Sequence, residues 1–323
     1  MKRSHLIAAL AVFILSLLLP LVLQTDYVLQ VLFRIYLFAA LGLAWNLVGG
    51  YAGQLSLGHA AYFGAGAYSL ALFSGKLGVS PWLAVLIGVV VAAVGAFLIG
   101  GVSFRLRGPY FVLATIAFAE VLRLIAKNLP EVTGGDVGVQ VPALFHGNVN
   151  RAFHWAAVVL TGLAFATTVA ISRTRFGYYL LAIREDEDTA LSLGISAARN
   201  KLAALLISAA LTALAGALYA SLFLFIVPDQ VLSIDVSNEI AIVAMLGGAG
   251  TMLGPIVGAV VLESASEIFK NFFKEAHLLI YGVLLVIVVL FLPEGIVGTL
   301  TAFLRRRALL GKVKPSAKGA TAS

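Results

Sequence analysis

No cysteine occurs in the chain, which removes disulfides, thiolate metal sites and thiol nucleophiles together. Charge is nearly as scarce: Asp, Glu, Lys and Arg make up 11% of the 323 residues, against about 25% in an ordinary soluble domain. The strings that carry catalysis and nucleotide binding are also missing. There is no G-x-x-x-x-G-K-[ST] loop to cradle ATP, no H-E-x-x-H pair for zinc and no nucleophile elbow. Gly248-x-Gly250 stops short of a dinucleotide fingerprint, because the third glycine is Gly254, one position late, and no strand-like run precedes it. The sequence therefore supplies no catalytic residues and no metal site, and it implies no cofactor bound by this chain. A pI near 9.7 comes without interleaved basic and aromatic residues, so nucleic acid is not an expected partner.

What the chain has in excess is apolar surface: 61% of residues are hydrophobic and the mean hydropathy is +1.02. A bilayer's hydrocarbon core takes about 20 apolar residues per helical crossing. Such runs recur near 6–23, 28–48, 55–74, 81–101, 109–127, 154–172, 201–226, 238–262 and 278–298. The reading is an all-α polytopic membrane protein, with the lipid bilayer as its first partner. Lys2 and Arg3 precede the first run, but Leu21 to Thr25 offers no small-x-small cleavage site. Residues 1–26 are accordingly read as a retained, extra N-terminal span.

Lys and Arg set the orientation. With the N-terminus in the cytoplasm, Arg105, Arg107 and the cluster from Arg173 to Lys201 fall inside, and 128–153 becomes a periplasmic loop. Nine full crossings would then strand Arg305, Arg306, Arg307, Lys312, Lys314 and Lys318 outside. One run must turn back. Residues 238–262 are the candidate, since Gly247-Gly248-Ala249-Gly250 interrupts them and Gly254-Pro255 follows. The map is about eight full transmembrane helices plus that re-entrant or broken segment. It gives a transmembrane domain over 1–303, a cytoplasmic loop over 173–200, both termini in the cytoplasm and a basic, disordered tail over 304–323. Lys270 and Lys274 come out near the outer surface.

Asn46 to His59 forms a second glycine-rich, polar break between apolar runs. Paired interruptions of this kind point to internal repeats and a substrate path. Candidate lining residues are Asn46, Gln54, Ser56 and His59 in the first break, Thr115 on the fifth run, and Asn238, Gly247 and Gly248 in the second break. Close packing of small residues accounts for the glycines as well, and both readings stand. His59 has no second metal ligand nearby and reads as a hydrogen-bonded structural imidazole. Glu120 and Arg123, three apart, read as an ion pair near the outer boundary. Asn238 and Glu239 suit a helix cap as well as a ligand.

The segment Arg184 to Lys201, REDEDTALSLGISAARNK, is charged and flanked by apolar runs. Acids open a short helix near 185–198 and Arg199 and Lys201 close it, as the helix dipole favours. Leu191, Leu193 and Ile195 are too few to be buried among spans, so the segment reads as a docking surface. The pattern Asp188-Thr189-Ala190-xxx-Gly194 resembles the EAA-xxx-G signature of permeases of ATP-binding-cassette importers. It departs in its first positions, Asp-Thr for Glu-Ala, and lacks the Ile-x-Leu-Pro that often follows.

Longer blocks occur in order from about 28 to 298: GLAWNLVGGYAGQLSLGHAAYFGAGAY, GPYFVLATIAFAEVLRL, TGGDVGV, LAGALYA, LGGAGTMLGPIVGA and LPEGIVG. Together they resemble the permease family of branched-chain amino-acid importers, M-type subunit. The resemblance implies inward transport by alternating access in a bacterial cytoplasmic (inner) membrane, with no enzymatic activity in this chain. It also implies partners: a second, H-type permease, two cytoplasmic ATPase subunits that use ATP and Mg, and a periplasmic or extracellular substrate-binding protein. The residues it assigns to ATPase coupling are Arg184, Glu185, Glu187, Asp188, Ala190 and Gly194. Relatives with the same blocks carry urea, short amides or aromatic acids. The competing class, an ion-gradient-driven secondary transporter, would need relays at mid-membrane depth, and only Glu120 and His59 offer themselves.

Overall fold

The computed structural model describes residues 16, 20, 25–104, 109–147, 149–272, 282 and 295–301. Most of the expected 1–26 span, Arg105 and Arg107, Lys274, most of 278–298 and the tail from 304 lie outside the described residues. Helix α1 (Asp26–Asn46) runs into a wider π turn (Leu47–Tyr51), closed by the Ala52 amide donating to Leu47 O at 3.3 Å. Residues 53–58 are unwound, and α2 (His59–Ser69) then leads into a second π turn (Leu70–Lys76). Next come α3 (Pro81–Ser103) and α4 (Pro109–Asn128), followed by the single turn α5 (Pro130–Thr133) and the strand β1 (Val139–Gln140). The chain continues through α6 (Val149–Ser172), α7 (Arg175–Glu185), α8 (Glu187–Ser192) and α9 (Ala197–Phe223). Strand β2 (Phe225–Ile226), α10 (Pro228–Val231), α11 (Ile234–Gly247) and α12 (Gly254–Phe272) follow, and the described residues 295–301 are again helical.

Among the described residues, six helical stretches are long and apolar enough to cross a membrane: Asp26–Tyr51, Pro81–Ser103, Pro109–Asn128, Val149–Ser172, Ala197–Phe223 and Pro228–Gly247. The protein is an all-α, multi-pass membrane protein. The two strands only fasten the 128–147 loop to the end of α9, pairing antiparallel with Val139 opposite Ile226 and Gln140 opposite Phe225.

Packing follows membrane rules, in which lipid is as apolar as leucine and close approach of small residues replaces hydrophobic drive. On α3, Ala84, Gly88, Ala92, Ala96 and Gly100 recur every fourth residue and are buried, while Leu86, Val90, Val94 and Phe97 face outward. A methyl at Gly66 would sit 1.9 Å from Ala213 O, and one at Gly216 2.0 Å from Phe63 O. The α2 and α9 backbones therefore touch.

Three expectations are refined. The run 55–74 is unwound to residue 58 and helical only from His59. The segment 238–262 does reverse, but as a hairpin of two helices whose turn, Gly248 to Leu253, reaches the end of the bundle occupied by Arg184. Its arms run much of the bundle's length because α11 already starts at Ile234 and α12 continues to Phe272. The helix near 185–198 is shorter than its charge pattern suggests. Asp186, extended at φ −159°, breaks it from α7, and Gly194, at φ +82°, ends the turn after α8.

Candidate functional site

At one end of the bundle, the α7–α8 loop and both glycine breaks come together. Thr174 caps α7 by accepting from the Gly177 amide at 3.4 Å. Asp186 serves both helices: its amide donates to Ala182 O at 3.1 Å and its carboxylate accepts from the Thr189 amide at 2.5 Å. That backbone amide holds the Asp186 carboxyl below the usual carboxylate range. The folded value being the lower one, the cap's contribution is present above the ordinary carboxylate range and is lost as pH falls through the depressed value.

Helix α8 is fastened to its own bundle on one face and open on the other. Lys201, buried at the start of α9 with 2% of its side chain exposed, reaches Glu187 at 2.7 Å. Ala190 packs with Ile183 and Ala197. Glu185, Asp188, Leu191 and Leu193 are exposed, the last at 75%. The six residues assigned to coupling therefore divide. Glu187 and Ala190 face the bundle, Gly194 shapes the turn, and Glu185 and Asp188 lie on the outer face.

Arg184 does something else. Its Nη1 donates to Gly50 O at 2.8 Å, inside the first break, and a Cβ on Gly250 would lie 2.2 Å from the same nitrogen. Asn46, fully buried, ties the breaks together a second way. Its Oδ1 accepts from the Gly250 amide at 2.7 Å and its Nδ2 donates to Thr251 O at 2.9 Å. Thr251 Oγ1 in turn donates to Gly248 O at 2.7 Å and accepts from the Gly254 amide at 3.0 Å, opening α12. Gly247 lies against α12, where a Cβ would meet Gly254 O at 1.7 Å. Asn46, Gly247 and Gly248 thus sit in the seam between the breaks.

The unwound stretch before α2 leads into a buried polar cluster. His59, fully buried, has Nδ1 at 3.2 Å from Ser56 Oγ and Nε2 at 2.9 Å from Ser208 Oγ on α9. Trp45 Nε1 donates to Ser56 O at 2.7 Å, the Leu57 amide to Thr115 Oγ1 at 3.2 Å, and the Ala60 amide to Ser237 Oγ at 2.9 Å. Ser56, His59 and Thr115 therefore belong together, joined by Ser208 and Ser237, which the sequence reading did not single out. Gln54 and Asn238 are half-buried. The Gln54 amide closes the first break on Val48 O at 3.0 Å.

A helical membrane bundle with two glycine breaks, a buried polar cluster and a charged loop seated on the breaks suits a transport subunit, and the comparison with known families is specific. The family described as "Branched-chain amino acid transport system / permease component" matches residues 27–289. The chain belongs to this permease family. It is 31% identical over 288 residues to the high-affinity branched-chain amino acid transport system permease protein LivM of Escherichia coli K12, covering 80% of this chain and 67% of that one. The probable LivM of Methanocaldococcus jannaschii is 22% identical over 322 residues, covering 84% and 93%. The LivH permease of E. coli K12 is 26% identical over 283 residues, covering 81% and 91%. No solved structure matches the chain.

The opposite end of this permease holds features that the sequence reading passed over. Arg34 on α1 pairs with Glu263 on α12 at 3.3 Å, and the Glu263 side chain is only 4% exposed. Tyr27 OH donates to Glu267 Oε1 at 2.6 Å. Beside them opens a cleft of about 430 Å³ bounded by Gln30, Arg34, Asn150 and Glu267 and by the apolar Val31, Leu222 and Phe223. A signal existed: a lone arginine in an apolar run demands an acidic partner. At the same end the expected Glu120–Arg123 pair is present, extended by Arg123 to Asp229 and by Lys127 to both Asp229 and Asp136.

Proposed function

We propose that this permease is one transmembrane subunit of an ATP-binding-cassette importer that moves branched-chain or related neutral amino acids inward across a bacterial cytoplasmic membrane. The match of residues 27–289 to the branched-chain permease family carries the reading. Likeness to both LivM and LivH relatives supports pairing with a second, H-type permease. The chain has no nucleotide loop of its own, so the ATP and Mg are assigned to two separate ATPase subunits, with no cofactor on this chain. An external binding protein would deliver the cargo. The exposed face of α8, with Asp188, Leu191 and Leu193, is the surface offered to an ATPase. Both termini and that loop are then cytoplasmic and the Arg34 cleft faces outward. A guanidinium, a carboxylate and apolar walls around one cleft suit a zwitterion with a branched side chain. Ser56, His59, Thr115 and Ser208 offer hydroxyl and imidazole contacts deeper along the path.

The test is uptake of radiolabelled leucine by the purified complex in proteoliposomes. Uptake is expected to require ATP and to be competed by isoleucine and valine. Competition by urea, short amides or aromatic acids instead would reassign the cargo. Uptake that follows an ion gradient without ATP would overturn the reading.

A further inference from the structure

The six residues first grouped as one coupling surface do not act alike, and Arg184 stands apart. It leaves the loop that bears α8 and enters the seam between the two glycine breaks. We propose that Arg184 is the positioning residue that transmits movement of the coupling loop to a cytoplasmic gate, and that the gate is the backbone contact between Gly50 and Gly250. The proposal rests on the ATP-driven reading above.

Three observations carry it. The first is that the seam is shut. A Cβ on Gly50 would lie 2.4 Å from the Gly250 nitrogen and 1.9 Å from Asn46 Oδ1, so not even a methyl group fits. At the other end of the bundle the 430 Å³ cleft is open. A closed seam at one end with a cleft at the other suits one of the two states that alternating access requires.

The second is that Arg184 touches both sides of the seam. It donates to Gly50 O at 2.8 Å and presses on Gly250, while its Cγ lies where a Cβ on Gly53 would come within 2.9 Å. Arg184 itself is exposed while Gly50 is buried, and a charged donor on a backbone carbonyl makes a stronger hydrogen bond than a neutral one. The third is mechanical. Arg184 sits in the last turn of α7, which is joined to α8 by the single linking residue Asp186, a cap of both helices, and by packing of Ile183 on Ala190. Asn46 in turn bonds Gly250 and Thr251, so the hairpin turn follows the first break when that break moves. A shift of the loop by an ångström or two withdraws the guanidinium from Gly50, leaving the two Asn46 bonds as the side-chain tie that must also open before the breaks part.

The test uses the complete importer in proteoliposomes, with leucine uptake and ATP hydrolysis measured together and ATPase retention checked by co-purification. Arg184→Gln should keep the ATPases bound and hydrolysing, while amino acid moved per ATP falls about tenfold. Arg184→Lys keeps the charge but loses the planar fork, and should fall about threefold. The natural absence of cysteine lets Leu55→Cys, in the unwound stretch of the first break, and Leu253→Cys, at the end of the hairpin turn, both exposed, carry spin labels without background. The label distance should respond to ATP in the parent and stop responding in Arg184→Gln. Loss of bound ATPase in Arg184→Gln would overturn the proposal by placing Arg184 in the docking surface, leaving the importer reading intact. Normal coupling in either variant would also overturn it. Should Arg184→Gln not accumulate, Arg184→Lys alone decides in the same assay. ATP-independent uptake by the parent would mark failure of the importer reading instead.

Discussion

The two ends of the bundle are held together by different physics. At the opposite end from the α7–α8 loop, Arg123 and Lys127 share Asp229 and reach Glu120 and Asp136. The network is wet, with the Asp229 side chain 55% exposed. Exposed pairs of this kind contribute about 0–1 kcal/mol each and weaken with salt. At the end that holds the α7–α8 loop the contacts are few and each has a buried member: Asn46 fully buried, Lys201 all but buried against a partly exposed Glu187, and glycine backbone laid on glycine backbone. Removal of one partner there leaves a polar group without water. One end tolerates rearrangement, whereas the other has discrete made and broken states.

That contrast can be broken or sharpened by substitution. The largest effect belongs to Gly50→Val, whose side chain has no space in the seam. It should cost about 3 kcal/mol or more, read as a lowered unfolding temperature of the detergent-solubilised protein by tryptophan fluorescence. An unchanged temperature would mean that the seam yields easily. Glu187→Ala comes next. It strands the buried Lys201 and should cost about 2 kcal/mol, below the usual penalty for a broken buried pair because Glu187 is partly solvated. The double variant with Lys201→Met should recover most of that loss, and failure to recover would show that Lys201 is held by more than Glu187. The smallest effect is expected for Asp229→Asn, about 0.5 kcal/mol at low ionic strength and nothing measurable in high salt. A large, salt-insensitive loss there would erase the distinction between the two ends.

Much of the fold was legible because apolar runs of membrane length announce themselves without tertiary context. The runs 28–48, 81–101, 109–127, 154–172 and 201–226 each fall on a long helix. The reversal within 238–262 was legible from its glycines, but how far its arms extend was not, since α12 carries Glu263, Glu267 and Lys270 into the bundle and no longer looks apolar. Site residues divide in the same way. Ser56, His59 and Thr115 stood out as polar residues in apolar runs, and they meet. Ser208 and Ser237, their partners, are single hydroxyls that a helix can bury with little trace in sequence. Arg184 was visible as a charge in a loop, but that it turns toward residues 50 and 250 depends on contacts across 134 positions of chain. Periodicity carries no information at that range.

The seam also dictates an order of assembly. Asn46 finds its partner at Gly250, 204 residues further along. Synthesis proceeds from the N-terminus at about 5–20 residues per second, so the first break enters the membrane well before the hairpin that completes it exists. In that interval the Asn46 amide and the Gly50 carbonyl must be sheltered by water, by the insertion machinery or by provisional neighbours. The first glycine break is thus among the earliest parts of the permease to be made and among the last to be satisfied, and truncation anywhere before Thr251 leaves it open.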